Sequence, residues 1–299
     1  MANDKRTARL LVVDLDDTLW TWFDAWYKSF RALLDEVERI SGIDEATLIS
    51  DIRPIHQRRG TSEYSWLLDE LALLEATCPP GTSVADFYDE ALHAQNRARK
   101  AATHLYPGVR ETLSRLRENG TTVVGYTESL EFWTRWRIHR TDLDGLLTEL
   151  YSSPDHDSPE GVDPAARRHL PARDYMLEKT VHRHVPAGVI KPDPIILQQI
   201  VKDHGVSAGE TVYVGDSPMK DIAMAQAVGA IDALAGYGVH SGDPRYALLQ
   251  QVSHWTDEMV RKEQDNRPGV LPTPSITLAT GLSDIFNYVE FEPTKGEHD

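Results

Sequence analysis

The run Arg9-Leu10-Leu11-Val12-Val13 is short, apolar and partly β-branched, and it stops at a cluster of aspartates. That pattern predicts a buried parallel strand ending in a loop that carries chemistry. From Thr21 to about His104 the apolar positions adopt helical spacing, with Trp22, Trp26, Phe30 and Leu33 followed by Trp66, Leu67, Leu71 and Leu74. This stretch reads as a helical insert. Strand and helix then alternate: a helix from Glu111 to Glu118 ends at Gly120, a strand runs from Thr121 to Tyr126, and a helix begins near Ser129. Further strands are expected at Glu149 to Ser152, Gly188 to Ile190, Thr211 to Val214 and Ile231 to Leu234. Helices are expected from Pro194 to Asp203 before Gly205 and from Asp221 to Val228 before Gly229. The alternation is that of an α/β fold with a parallel sheet.

Between Ser152 and Arg173, proline, aspartate, serine and histidine replace the apolar periodicity, which predicts a loop excursion or flap. The tail offers an amphipathic helix from Arg245 to Lys262, a proline-bearing turn from Pro268 to Pro274, and a last strand and helix through Tyr288. No internal repeat is visible.

Composition narrows the function. The chain has 299 residues, enough for one large core and a smaller module, and its 31 basic against 47 acidic residues give a net charge of −16. That charge opposes nonspecific attraction to nucleic acid or to an anionic membrane, so a small anionic substrate must be attracted locally. A single cysteine, Cys78, excludes an internal disulfide and fits a reducing cytoplasm. The charged opening from Met1 to Leu10 and the short apolar run behind it predict no targeting segment and no spanning helix.

The strongest chemical signal is Val12-Val13-Asp14-Leu15-Asp16-Asp17-Thr18-Leu19-Trp20, where a strand delivers two carboxylates with one residue between them. Alternate residues of an extended segment share a face. One such carboxylate can bind a metal and attack phosphorus while the other protonates the leaving oxygen and later activates water. A second strand ends in Val214-Gly215-Asp216-Ser217-Pro218-Met219-Lys220-Asp221. Magnesium takes oxygen ligands in octahedral geometry, keeping several waters, so Asp14, Asp216 and the carbonyl of Asp16 suffice. Thr127, after Val123-Val124-Gly125-Tyr126, offers a hydroxyl to a phosphoryl oxygen, and Lys191, in Ile190-Lys191-Pro192-Asp193-Pro194, a balancing cation.

These four segments, in this order, resemble the haloacid dehalogenase superfamily, over Leu10 to Leu19 and about Tyr106 to Ala235. The resemblance implies a Rossmann-like three-layer α/β/α core with a parallel sheet, formed by residues 1–20 and 105–299, and an α-helical cap domain at 21–104. It implies a magnesium-dependent phosphatase of small phosphorylated metabolites, with Asp14 as nucleophile, Asp16 as general acid/base, Thr127 as phosphate ligand, Lys191 as the bridging cation and Asp216 on Mg²⁺. Thr18, Glu128, Ser217 and Asp221 are expected to support these groups or touch substrate. Glu128 after Thr127, Lys220 before Asp221 and the long stretch between Thr127 and Lys191 depart from the family pattern. A phosphosugar mutase uses nearly the same constellation, and a non-catalytic phosphate-binding protein could keep the scaffold.

Other groups have blander readings. Trp20, Trp22 and Trp26 at helical spacing are expected in the core. His56, Arg58 and Arg59 are expected to be solvated cations, and the histidines of His182-Arg183-His184 and His156-Asp157 to hold no zinc.

Overall fold

The computed structural model describes residues 5–168, 176–240, 242–263 and 271–294. Among the described residues seven strands form the main sheet: β2 (Leu10–Val13), β3 (Thr122–Leu130), β4 (Glu149–Ser153), β5 (Val181–His184), β6 (Thr211–Gly215), β7 (Ile231–Ala235) and β8 (Ile276–Leu278). Their order is β5-β4-β3-β2-β6-β7-β8, with every pairing parallel. The chain builds outward from β2 on one side, then crosses back to add β6, β7 and β8 on the other. In open parallel sheets such a reversal places the ligand crevice beyond the carboxyl ends of the strands. All four residues of β2 are buried, as a central strand covered on both faces requires.

Helices α6 (Val109–Glu118) and α7 (Glu131–Arg140) follow β2 and β3 in the core, and α8 (Ile195–Asp203) and α9 (Ala223–Val228) flank β6 in sequence. One face of the sheet packs with Leu113, Leu116, Ile138 and Leu147, the other with Ile196, Leu197, Ile200 and Met224. Between β2 and α6 lie α1 (Trp22–Ser41), α2 (Glu45–Arg59), the short turns α3 (Ala72–Glu75) and α4 (Val84–Phe87), and α5 (Asp89–Ala102). In α1, Phe23, Trp26, Phe30, Leu33, Leu34 and Val37 are buried at helical spacing. Asp17 accepts Phe23 N at 3.0 Å, supplying a bond that Thr21, the residue preceding the helix, does not make.

Four expectations need correction. No strand forms at Gly188 to Ile190: Val189 N bonds back to Pro186 O in a turn, and the fifth strand lies earlier, at Val181–His184. The expected helix from Arg245 to Lys262 is two helices, α10 (Tyr246–Val252) and α11 (Asp257–Glu263), because Ser253 is extended and His254 turns to Ser62. β3 runs on through Thr127 to Leu130, so α7 starts later than expected. His56 is buried rather than solvated, its Nδ1 meeting Val252 O at 2.7 Å, and burial pushes its pKa down to about 4. Arg58 and Arg59 both pair with Glu70. The turn expected at Pro268 to Pro274 begins outside the described residues.

The tail belongs to both layers. A strand β1 (Arg6–Ala8) pairs with β9 (Val289–Phe291), while Leu248, Leu249 and Val252 of α10 join the apolar core of α1 and α2. Leu249→Ala, at a fully buried site, should cost about 2–5 kcal/mol by cavity formation. A urea midpoint unchanged from the unaltered chain would show that α10 is a passive cover. The described part of the excursion leans on the helical layer too: Arg167 pairs with Asp69 at 2.6 Å, and Arg168, bound to Asp155 and Asp157, stacks over Phe132 and Trp66. Its stretch from 169 to 173 lies outside the described residues.

Candidate active site

Asp14 stands one residue beyond β2 and is anchored by its backbone, whose N–H donates to Val214 O at 2.8 Å. In register, Val13 lies between Gly125 of β3 and Val214 of β6. Thr127 is thus two residues beyond the level of Asp14's neighbour on one side, and Asp216 two residues beyond it on the other. Asp14 and Asp216 therefore follow the ends of β2 and β6, while Thr127 lies within β3 where its pairing with β4 shifts register, at the same edge of the sheet.

Lys191 reaches that edge from a loop, not a strand. Its Nζ donates to Asp14 Oδ1 at 2.5 Å and to Asp221 Oδ1 at 2.9 Å, in a fully enclosed position. Burial pulls the ammonium pKa down, but Asp14 and Asp221 outweigh it and hold the pKa well above the usual lysine value. Asp221 also accepts the Tyr213 hydroxyl at 2.9 Å on the same oxygen and Ser217 N at 3.0 Å on the other. With both oxygens occupied, Asp221 is built to hold the lysine. Gly215 makes this possible, since a Cβ there would lie 2.3 Å from the Asp221 carboxyl carbon. Ser217 in turn accepts Lys220 N at 3.3 Å, closing the wide, π-type turn Pro218–Ile222.

Asp14 Oδ2 accepts the Thr18 hydroxyl at 3.3 Å. Burial pushes the Asp14 pKa up to about 7 against the pull of Lys191, with Asp221 and Asp16 adding to the rise. Asp216 is raised well above the carboxylate range by desolvation and by Asp14, Asp221 and Asp17. Oxygens of Asp14, Asp216 and Asp221 lie within 4.8 Å of one another. Three crowded carboxylates against one lysine make each further negative charge costly, and a divalent cation on oxygen ligands would let them ionise together.

Asp16 has partners of its own. Its Oδ1 accepts Trp20 Nε1 at 2.6 Å and its Oδ2 accepts the Ser129 hydroxyl. Thr127 is buried, with its Oγ1 accepting Ser129 N at 3.1 Å. The acidic crevice also draws on Asp17, left-handed at φ 56°, which contacts His240 at 3.2 Å.

Compared with known proteins, residues 8–229 match the profile described as haloacid dehalogenase-like hydrolase. The chain belongs to that family. It is 28% identical over 170 residues to a phosphoglycolate phosphatase of Aliivibrio fischeri, an alignment covering 54% of this chain and 61% of that protein. A haloacid dehalogenase-like family hydrolase from Xanthomonas campestris superposes with a TM-score of 0.50 at 14% identity, covering 82% of this chain and 87% of the other. A 2-haloacid dehalogenase from Pseudomonas syringae gives a TM-score of 0.48 at 20% identity, covering 94% and 98%.

Two departures of this haloacid dehalogenase-like hydrolase from the family pattern meet each other. Lys220 Nζ donates to Glu128 Oε2 at 2.6 Å, and Glu128 Oε1 accepts Lys191 N at 2.9 Å. Burial raises the Glu128 pKa, but Lys220 and Lys191 outweigh it and hold the group ionised. Glu128 is therefore a neutralised brace for the Lys191 loop rather than a free negative charge facing substrate.

Sequence reading places Trp20 in the core, and it is buried there; its indole N–H nonetheless holds Asp16. Trp22 and Trp26 likewise carry polar ends, donating to Glu63 and to Ser62 O. Ser129, Tyr213 and Arg137 carry no motif and are found only by geometry. The His182 ring lies against Glu131 and His184, but its Nδ1 accepts Arg135 Nε at 3.0 Å and its Nε2 meets the Ser152 hydroxyl at 2.7 Å.

Proposed function

We propose that this hydrolase cleaves phosphate monoesters of a small metabolite through an aspartyl-phosphate. The observation that carries the reading is the division between the two carboxylates: Asp14 is held by Lys191 and Thr18, Asp16 by Trp20 and Ser129. An Asp14 oxygen attacks phosphorus, the P–O bond to the alcohol breaks, and that oxygen takes its electron pair and the proton of Asp16. Asp16 then accepts a proton from water, whose oxygen attacks phosphorus and releases Asp14 and phosphate. Thr127 receives a phosphoryl oxygen and Lys191 offsets the charge of nucleophile and phosphate. Mg²⁺, held by Asp14, Asp216 and the Asp16 carbonyl, would supply Lewis-acid charge neutralisation.

The phosphatase among its relatives supports this reading, while the pair of acids sets it apart from halide displacement, whose leaving group needs no proton. Residues 21–104, with α10 added to the cap expected from sequence, would shape the leaving-group side over a core of 1–20 and the rest of 105–299. Cys78, a free thiol, supports placement in the cytoplasm. Among the described residues no helix is long and apolar enough to cross a membrane.

Release of inorganic phosphate from a panel of phosphorylated metabolites tests the reading. Release should require Mg²⁺ and stop with EDTA; a panel with no metal-dependent release favours a binding protein, and positional isomers without free phosphate favour a mutase.

A further inference from the structure

Beside Asp16 lies a closed group of charges that the proposed chemistry leaves unused. The Arg137 side chain, on α7, is 2% exposed. Its Nη2 bonds Glu63 Oε1, its Nη1 lies 3.6 Å from Asp16 Oδ1, and neither Nη1 nor Nε has a hydrogen-bond partner. Glu63 comes from the helical layer just after α2. Its Oε2 accepts Trp22 Nε1 at 3.0 Å and its carbonyl accepts Trp133 Nε1 at 2.8 Å. Burial raises the Glu63 pKa, but Arg137 and then Arg99 outweigh it and keep the group ionised. An enclosed guanidinium cannot exchange its carboxylates for water, so its place follows theirs. Trp20 and Ser129 hold Asp16 from beside the strand ends, whereas Arg137 answers also to the helical layer.

We propose that Arg137 is a positioning residue through which the seat of Glu63 sets the orientation of Asp16. The inference rests on the acid/base role of Asp16 given above. With Glu63 in place, the guanidinium stands against Asp16 Oδ1 and helps hold the carboxyl toward the leaving oxygen. Displacing the segment that carries Glu63 draws Arg137 away and frees Asp16 to turn. The helical layer thereby acts on proton transfer without touching substrate.

The test compares two leaving groups in Arg137→Met, Glu63→Gln and the double variant, which removes both buried charges together and so tolerates the loss if Arg137→Met alone fails to fold. A 4-nitrophenyl phosphate departs as a stabilised phenolate, whereas an alkyl phosphate requires a proton. For the alkyl ester, kcat should fall about 10²-fold in the single Arg137 variant and in the double, and for the aryl ester by less than about tenfold. Arg137→Lys should recover part of the alkyl activity. In the metal-free protein the Trp20 indole N–H resonance, which reports its bond to Asp16, should shift in Arg137→Met, in Glu63→Gln and in the double variant. Equal losses on both esters with an unmoved Trp20 resonance overturn the inference. If Asp16→Asn itself shows no leaving-group bias, the acid/base reading falls and this one with it; if it does and the Arg137 variants do not, only this inference falls.

Discussion

Asp14→Asn should leave a folded protein whose phosphate-ester turnover is reduced on the order of 10⁴-fold or more, the scale seen when a covalent nucleophile is removed. The amide can still accept Lys191 Nζ, which now bonds Asp14 at 2.5 Å, so the lysine keeps its seat. It cannot form the acyl phosphate. Trapping of a beryllium fluoride adduct, which mimics the aspartyl-phosphate, should vanish with activity. A second effect separates chemistry from folding. Even with Lys191 bonded to it, burial pushes the Asp14 pKa up to about 7, with Asp221 and Asp16 adding to the rise, so its negative charge is costly without a divalent cation. Neutralising it should raise the metal-free melting temperature while weakening Mg²⁺ binding. Full turnover in Asp14→Asn, measured as phosphate release, would remove Asp14 from the reaction.

Lys191→Met should lower kcat about 10²- to 10³-fold, the cost of losing one pre-placed charge at a developing anion, and should destabilise the protein in a pH-dependent way. Lys191 is the cation bonded to both Asp14 and Asp221 inside the core. Removing one partner of a buried ion pair costs roughly 3–5 kcal/mol because the other charge is left uncompensated. The Asp14 pKa is near 7 in the folded protein, against about 3.9 for an unfolded aspartate. Between those values the folded state binds more protons, so stability without metal falls as pH rises from about 4 to 7. Without Lys191 the Asp14 pKa climbs further and the loss extends to higher pH. Urea unfolding in EDTA should therefore show a small deficit at pH 5 and a large one at pH 8. A deficit independent of pH would mean that lysine packing, not its charge, matters.

The parts of this architecture legible in the chain are those where one local rule suffices. β2 and β6 are buried parallel strands, so Leu10-Leu11-Val12-Val13 and Val212-Tyr213-Val214 read as continuous apolar runs ending in aspartate. β5 is an edge strand with one of its four residues part-buried and the rest exposed, so Val181-His182-Arg183-His184 carries no such signal. Attention goes instead to the apolar Gly188-Val189-Ile190, which Pro186 turns into a loop. The site divides the same way. Asp14 and Asp216 follow strands and are readable; Arg137 and Glu63 stand 74 positions apart and each alone looks like a surface charge. Glu128 and Lys220, 92 positions apart, look like two defects in a pattern and prove to be one ion pair. Long-range pairing of charge has no local periodicity, which is why only the folded chain reveals it.

The tail helix α10 has a consequence for how this protein can vary. Leu248, Leu249 and Val252 share a core with α1 and α2, Arg245 pairs with Asp24 at 2.7 Å, and Arg53 with Asp257 at 2.5 Å. The helical layer is thus encoded in two places, one following the first strand and one near the other end of the chain. Recombination that exchanged residues 21–104 alone would import a surface shaped for a foreign tail. The two segments form one unit of variation, and a change of packing in one has to be matched by a change in the other.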